Sequence, residues 1–495
     1  MGKFVPFGEW LPDLPDFSNP GATVAKNVVP DANSYRSFPG LLTYTDSIGG
    51  VCKGAIVARD NSGNYYNYVG DASALYVNVG MSWTSVTRIS SSYNTPDDDA
   101  WEFVQFGSNV IAVNGANADL PQIITAGAAN FADLSGDPPR AKHIAAIRDF
   151  VVLGNLSASV SSPQMVRWCA INNPLSWTPS AATMADFQDL PGDGGWIQKI
   201  VGGEYGTVFQ ERAIFRMTFV GTPLVFQFDK VQTNIGVYAP QSVVSYRNIS
   251  FFLAEDGFYM FDGSNVQPIG NGKVDETFFA DLDRAFVHRI HAVTDATRKI
   301  VIWAYPGAGN SNGNPNRLLI YNWAFKHWSR IEDINIDFLL RIVTGTYTLE
   351  GLDAVNSSID ALSPSLDSPH WRTGNLILSA FNHLHRLATF NGSAMPAVVE
   401  TSEHQFNRAP GGLTYVTEIR PVAEGLSASI SLAVATRNVL TESATYSLAA
   451  IPNSTGFASV RATGRFHRFR ISTANGSNFD HLMGVDVTGI DDGIR

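Results

Sequence analysis

Short runs of alternating apolar and polar residues, broken by Gly, Asp and Asn, recur along most of the chain. Residues 52–89 contain CKGAIVARD, NYYNYVG, SALYVNVG and WTSVTRI, with turn residues between the runs. Residues 101–136 give WEFVQFG, NVIAVNG, PQIITAG and FADLSG, and residues 142–180 give KHIAAIRD, FVVLGNL, QMVRWCAIN and SWTPS. Residues 196–231 give IQKIVGGE, GTVFQER, AIFRMTFVG and VFQFDKV. A fifth unit holds SVVSYRN, SFFLAED, GFYMFDG and VQPIG; a sixth, residues 291–332, holds HAVTDATRK, IVIWAYP, RLLIYNWA and KHWSRIE. FLLRIVTG and LILSAFN, ending in LATFNGSAMPAVVET, leave room for a seventh unit with an insertion. Period-two alternation predicts strands, and few windows carry the helical spacing. Units of roughly 40–50 residues with four short strands each predict the blades of a β-propeller. A lone four-stranded sheet cannot bury both faces, whereas blades stacked around an axis bury them all and leave short edges. The pattern predicts an all-β chain whose residues 51–405 form a propeller of six or seven blades. Trp83, Phe131, Trp177 and Trp328 fall near the ends of units, which suits packing of outer strands.

The pattern changes after residue 405. YVTEIRPVAEG, SASISLAVATRN, YSLAAI, ASVRATG, RFHRFRIST and MGVDVTGI are longer alternating runs, and residues 406–495 read as a separate β-sandwich-like domain. Residues 1–50, with Pro6, Pro12, Pro15, Pro20, Pro30 and Pro39, read as an extended arm that wraps a neighbouring subunit or supplies the strand closing the ring.

The stretch FFLAEDGFYMFDGSNVQPIG tests whether acidic pairs mark chemistry or turns. Asp256-Gly257 and Asp262-Gly263 each separate alternating runs, and Asp-Gly there predicts type I′ hairpin turns. A calcium loop needs oxygen ligands at alternate positions and a closing Glu; Phe, Tyr and Met occupy the intervening positions instead.

Charge narrows the partners. The 495 residues carry 34 basic and 45 acidic side chains, a formal net charge of −11. The last ninety residues hold seven acidic and eight basic groups, so the acidity sits in the first 405. Such a surface opposes nucleic acid gripped through its phosphates, though not nucleic acid that slides past. Cys52 and Cys169 are far apart and read as two reduced core thiols. No run approaches the eighteen apolar residues of a membrane span, and the N-terminus lacks the apolar core of a secretory signal.

Candidate chemistry is sparse. Propellers host glycosidases, which need paired carboxylates, yet Asp97, Asp98 and Asp99 read as a solvated loop and Asp193 as part of a tight turn, PGDGG. Glu255 and Asp256 are adjacent, and no acid recurs at a fixed blade position that would aim several at one axis. There is no G-x-S-x-G elbow, P-loop or strand-to-helix G-x-G-x-x-G, so neither a catalytic nucleophile nor a cofactor is predicted. His288, His291, His383 and His385 lack a third ligand and read as strand-face or core histidines. One charge cluster stands out in RATGRFHRFRI: Arg461, Arg465, Arg468 and Arg470. It reads either as a solvated strand face or as a subunit contact, with Arg forks meeting carboxylates of the acidic propeller.

Together, PFGEWLPDLPDFSNPGATVAKNVVP, FFLAEDGFYMFDG, and GRFHRFRI followed by GVDVTG resemble a family of bacteriophage tail proteins. These are the nozzle or tail-hub proteins of short-tailed phages, also described as packaged-DNA stabilisation proteins. The resemblance runs from near residue 4 to near residue 490. It implies a virion structural protein, not an enzyme, assembled in the host cytoplasm into a ring, usually a homohexamer, at the tail tip. Such a ring continues the DNA channel, docks on an adaptor below the portal, carries fibres or spikes, and retains packaged DNA until ejection. Double-stranded DNA would pass without sequence-specific binding, and like charge on the wall would keep phosphates from sticking. The rival readings are a propeller that binds or cleaves glycans, with acids and aromatics converging on one face, and a monomeric propeller scaffold for protein partners.

Overall fold

The computed structural model of the chain describes residues 2–157, 161–343, 376–407, 409, 411–426 and 429–494. Within them, strand segments match the alternating runs and assemble into seven four-stranded antiparallel blades, the first six of them simple meanders. Blade 1 covers residues 54–85, blade 2 102–133, blade 3 140–189, blade 4 197–233, blade 5 244–268 and blade 6 291–331. Blade 7 takes three strands from Ile336–Val343, Leu376–Asn382 and Arg386–Thr389, and its outermost from Leu42–Ser47 near the N-terminus. The first strand of each blade stands next to that of its neighbour, so the seven close into a ring; the single turn Pro240–Ser242 fills the place between blades 4 and 5. The chain is an all-β propeller with a C-terminal β-sandwich.

The residues read as an arm run along their own chain. They form β1 (Gly2–Pro6), β2 (Ala22–Lys26), β3 (Val28–Pro30), β4 (Tyr35–Ser37) and β5 (Leu42–Ser47). β5 pairs antiparallel with Arg386–Thr389 and closes the propeller ring, one of the two roles expected of the arm. β1, β3 and β4 join one sandwich sheet, in the order β3, β4, His481–Ile494, Gly412–Glu424, Ala458–Gly464, with β1 also paired to His481–Ile494. The other sandwich sheet is ordered β2, Val398–Thr401, Phe466–Thr473, Ile430–Arg437, Thr445–Tyr446. β2 also lies parallel to the outer strand of blade 6, with Lys26 opposite Arg330, so blade 6 and this sheet form one nine-stranded sheet.

Two strand assignments differ from the sequence pattern. SWTPS is not a strand: Trp177 is buried, but the outer strand of blade 3 is Asp186–Asp189. Val398–Thr401, read as the end of blade 7, belongs to the sandwich, because β5 already occupies the edge it would have taken. The insertion read within the seventh unit lies outside the described residues.

Close packing between blades explains particular small residues. Trp101 sits between blades 1 and 2, its indole N–H donating to the Asp71 carbonyl (2.8 Å). A Cβ on Gly70 would lie 2.4 Å from the Trp101 ring, and one on Gly54 would lie 2.2 Å from its carbonyl oxygen. Any side chain at either position drives the blades apart.

The Asp-Gly pairs of blade 5 are turns, but not of the expected type. Ala254 N–H donates to Gly257 O (2.8 Å), so Glu255 and Asp256 are the central pair, and neither has the positive φ that type I′ requires. Gly257 serves close approach instead: a Cβ there would lie 2.2 Å from an Asp275 carboxylate oxygen. In the second turn Gly263 (φ 96°) and Ser264 are central, and the Asp262 carboxylate accepts from the Ser264 and Asn265 N–H groups.

Asp275 opens α1 (Asp275–Asp281), whose first turn is capped from a distance by the Asp13 carboxylate, accepting from Glu276 N–H (3.0 Å) and Thr277 N–H (2.9 Å). Burial pushes the Asp275 carboxyl up to about 7, with the neighbouring Asp13 and Asp256 adding to it against a bond from Phe258 N–H. The native chain therefore holds this proton up to about pH 7, while the unfolded chain releases it near 3.8. Stability from this group is present at low pH and is lost as pH rises through that window. Asp275→Asn is expected to be more stable than the parent at about pH 8, with the gap closing towards about pH 4. Urea melts at both values check this; a gap of equal size at both would contradict it.

Candidate functional site

The propeller axis is where loops from different blades meet. At its waist stands Glu102, the first residue of blade 2's inner strand, buried beside groups from three other elements. Its Oε1 accepts from Lys199 Nζ of blade 4 (2.7 Å), His143 Nδ1 of blade 3 (2.9 Å) and Gln241 Nε2 of the Pro240–Ser242 turn (2.9 Å). Burial alone would raise the Glu102 carboxyl, but Lys199 and the His143 hydrogen bond outweigh it and hold the group well below the usual carboxylate range. Burial pulls His143 down against the pull of Glu102, so the imidazole is a neutral donor through Nδ1. The waist is thus one ion pair, Lys199–Glu102, fixed by two neutral donors.

This waist divides the axis. Where the inner strands end lies an open well of about 550 Å³, lined by Phe103, Ile144, Ile200, Val243 and their neighbours. Where the inner strands begin lies the mouth, a cavity of about 280 Å³ that joins a second lobe of about 360 Å³ through Ala100, Gln241 and His288. Gln241 lines all three spaces, and Phe338 lines both the mouth and the well.

The mouth gathers acids that the sequence pattern left scattered. Asp71, Asp97, Asp99 and Asp337 line it together with Lys53, Arg289, His288 and His291. Asp71 is spent internally, accepting from Ser73 N–H (2.7 Å), Ala74 N–H (2.7 Å) and Tyr76 Oη (3.1 Å). Asp99 pairs with Lys142 (2.6 Å), Asp97 faces Lys53 (3.6 Å), and Asp98 faces His288 (3.9 Å). Within the Asp97–Asp99 run, then, Asp97 and Asp98 are solvated and Asp99 is partly buried in an ion pair. Asp337 is buried against His385 Nδ1, and burial raises its carboxyl against that bond. His291 donates from Nδ1 to Arg289 O (2.9 Å) and accepts Leu339 N–H on Nε2 (2.7 Å), so backbone fixes its tautomer, and burial pulls it down to about 4. His383 sits exposed in the turn after Leu376–Asn382, not on a strand face shared with His385. Among the described residues no three His, Cys, Asp or Glu side chains are grouped to hold a metal.

Asp193 pairs with Lys230 (3.1 Å) and Asp256 accepts from Tyr259 Oη (2.7 Å), both at the surface. Cys52 and Cys169 are free and buried, and burial pushes both thiols up. No helix among the described residues is long and apolar enough to cross a membrane.

The arginine cluster divides. Arg470 Nε donates to Glu400, its neighbour across the paired strands Val398–Thr401 and Phe466–Thr473, and its guanidinium stacks on Tyr446 (4.0 Å). Arg468 bridges Glu403 (3.2 Å), Glu400 (3.7 Å) and Asp16 (3.1 Å). These two find their carboxylates within their own chain, because strand pairing places Glu400 and Glu403 opposite them. Arg461 projects from the outward face of Ala458–Gly464 and has no ion-pair partner among the described residues, and Arg465 is half-buried. Arg461, Tyr415, Glu418 and Leu448 line a surface hollow of about 600 Å³.

Sequence reasoning missed the Glu102–Lys199–Gln241 waist because its members come from three elements at unrelated spacings. The one available signal was polar residues opening inner strands that are otherwise apolar.

No protein-family model matches the chain, and no curated protein does. Among solved structures it is similar to the WD40 domain of Pan2 from Neurospora crassa, at 8% identity over 73% of this chain and 96% of that one, with a TM-score of 0.37. It is also similar to the N-terminal domain of Nup159, at 10% identity over 74% of this chain and 98% of that one, with a TM-score of 0.37.

Proposed function

We propose that the chain is a structural subunit of a short-tailed phage tail nozzle, one segment of a ring, six in number by family resemblance, around a DNA channel. The observation that carries this reading is where the resembling stretches lie. Phe7 and Trp10 from the first, Phe251 and Phe258 from the second, and Phe469, Ile471, Val485 and Val487 from the last two belong to one hydrophobic core. That core spans blades 5 and 6 and both sandwich sheets. With the shared nine-stranded sheet it makes propeller and sandwich a single stiff body, as the wall of a channel holding packaged DNA requires. The acidic surface suits DNA that passes without being gripped, while the adaptor and the fibres or spikes would dock on the outer faces.

The ring contact falls to the sandwich surface where Arg461 has no ion-pair partner among the described residues. Leu448, 93% exposed, and Ile451, 73% exposed, lie on the same segment that borders the hollow. Exposed apolar side chains beside an unpaired Arg are what a subunit contact leaves on a free protomer. Sedimentation of the protein over a wide concentration range tests this reading. The parent is expected to form one oligomer of fixed size, and Arg461→Glu to shift it towards monomer. A parent that stays monomeric at every concentration would overturn it.

A further inference from the structure

The mouth of the propeller axis lies apart from the ring contact proposed above, and it is a formed cavity with unspent hydrogen-bonding groups. We propose that it binds a neutral saccharide, one ring in the 280 Å³ lobe and a second in the adjoining lobe.

Size sets the first limit. The 280 Å³ lobe falls just below the range of roughly 300–1,000 Å³ typical of drug-sized ligands, which restricts it to one small ring. The unspent groups set the second. Arg289 uses one guanidinium nitrogen on Asn314 Oδ1 (3.0 Å), and the rest of its fork meets no acceptor among the described residues. The backbone amides of Gly50, Val51 and Cys52, along the same wall, likewise make no hydrogen bond to a described residue. Asp97 stands 92% exposed at the rim, 3.6 Å from Lys53, with acceptor capacity to spare on its carboxylate. Donors and acceptors therefore face one space within a few residues of each other. A hydroxyl both donates and accepts, so a polyol can engage this mixed array, whereas a purely accepting or purely donating ligand cannot.

Charge sets the third limit. Part of the charge around the mouth is matched locally, Lys53 with Asp97 and Lys142 with Asp99. An anion entering the cavity meets Asp71, Asp97 and Asp337, and a cation meets Lys53 and Arg289. The excess of carboxylates turns anions away, a cation is opposed by Lys53 and Arg289, and a neutral ligand meets neither repulsion. Val51, Ala72, Ala100 and Phe338 supply apolar surface for the C–H face of a sugar ring. This inference stands apart from the ring reading, since it needs only the folded protomer.

Saturation-transfer NMR on the full chain tests it, with glucose, galactose, mannose, rhamnose and N-acetylglucosamine as probes and glucuronate and glucosamine as charged controls. At least one neutral sugar is expected to receive saturation. Its affinity should fall about tenfold or more in Arg289→Ala, the size expected for a lost hydrogen bond to a charged group, and also in Asp97→Ala. Asp97 is exposed at the rim, so that variant retains the fold even if the Arg289 change disturbs it. Transfer to none of the neutral sugars, transfer to the charged controls alone, or binding unchanged in Asp97→Ala and Arg289→Ala would each overturn the proposal.

Discussion

Deleting residues 2–47 is expected to leave a chain that does not fold, although it removes less than a tenth of the sequence. The segment holds β1 to β5, and none of these is an accessory strand. β5 is the outermost strand of blade 7, so without it the ring is left open at the seam with blade 1. β2 is the strand between blade 6 and the sandwich, and β1 and β4 pair with His481–Ile494. Val5, Phe7, Trp10, Val28, Tyr35 and Phe38 are all buried, most of them in the core common to both units. Burying a large apolar side chain is worth about 1.5–3 kcal/mol, so six exceed much of the roughly 5–15 kcal/mol that stabilises a domain. The truncated chain should lack a cooperative melt by circular dichroism and be rapidly proteolysed. Co-expressing residues 1–50 as a separate peptide should restore part of the fold. A truncated chain that melts cooperatively near the parent's temperature would refute the woven architecture.

The second large effect is expected at the waist of the axis. Glu102→Ala removes the only carboxylate among the described residues in contact with Lys199 and deletes the acceptor for His143 and Gln241. Breaking one side of a buried ion pair costs about 3–5 kcal/mol because the remaining charge is left uncompensated. Lys199 retains some contact with solvent, 17% of its side chain, so the lower end of that range applies. Adding Lys199→Met should recover much of the loss, since an apolar replacement of both partners is often close to neutral. Chemical melts of the two single variants and the double variant provide the cycle. A Glu102→Ala chain as stable as the parent, or a double variant less stable than both singles, would show that the carboxylate does not organise the axis.

Six of the blades were legible because each is local: four runs in sequence, separated by turns, with alternation that survives in the folded sheet. Trp83 and Trp328 lie in outer strands, as their place at the ends of units suggested. The ambiguity between six and seven blades came from the one blade that is not local. β5, Leu42–Ser47, pairs with Arg386–Thr389 at the far end of the propeller sequence, and no periodicity reports such a partner. The same holds for β2, which is opposed by Val398–Thr401 on one side and blade 6 on the other. The outer strand of blade 3 was misplaced because Trp177, an aromatic among turn residues, is buried by its loop and not by a strand.

Site residues were less legible than strands for a related reason. Alternation along RFHRFRI put Arg468 and Arg470 on one face correctly, but the partners of that face, Glu400 and Glu403, are set by strand pairing. Likewise, acids that recur at no fixed blade position still meet at the mouth, because loops of blades 1 and 2 and the start of blade 7's inner strand converge on the axis.

The most direct test of the central claim is electron microscopy of the concentrated, purified chain, counting subunits in each particle. The account predicts closed rings of uniform subunit number around an open channel, with each subunit a propeller and sandwich in fixed relation. Isolated single propellers at every concentration, or particles in which propeller and sandwich take many relative orientations, would contradict it.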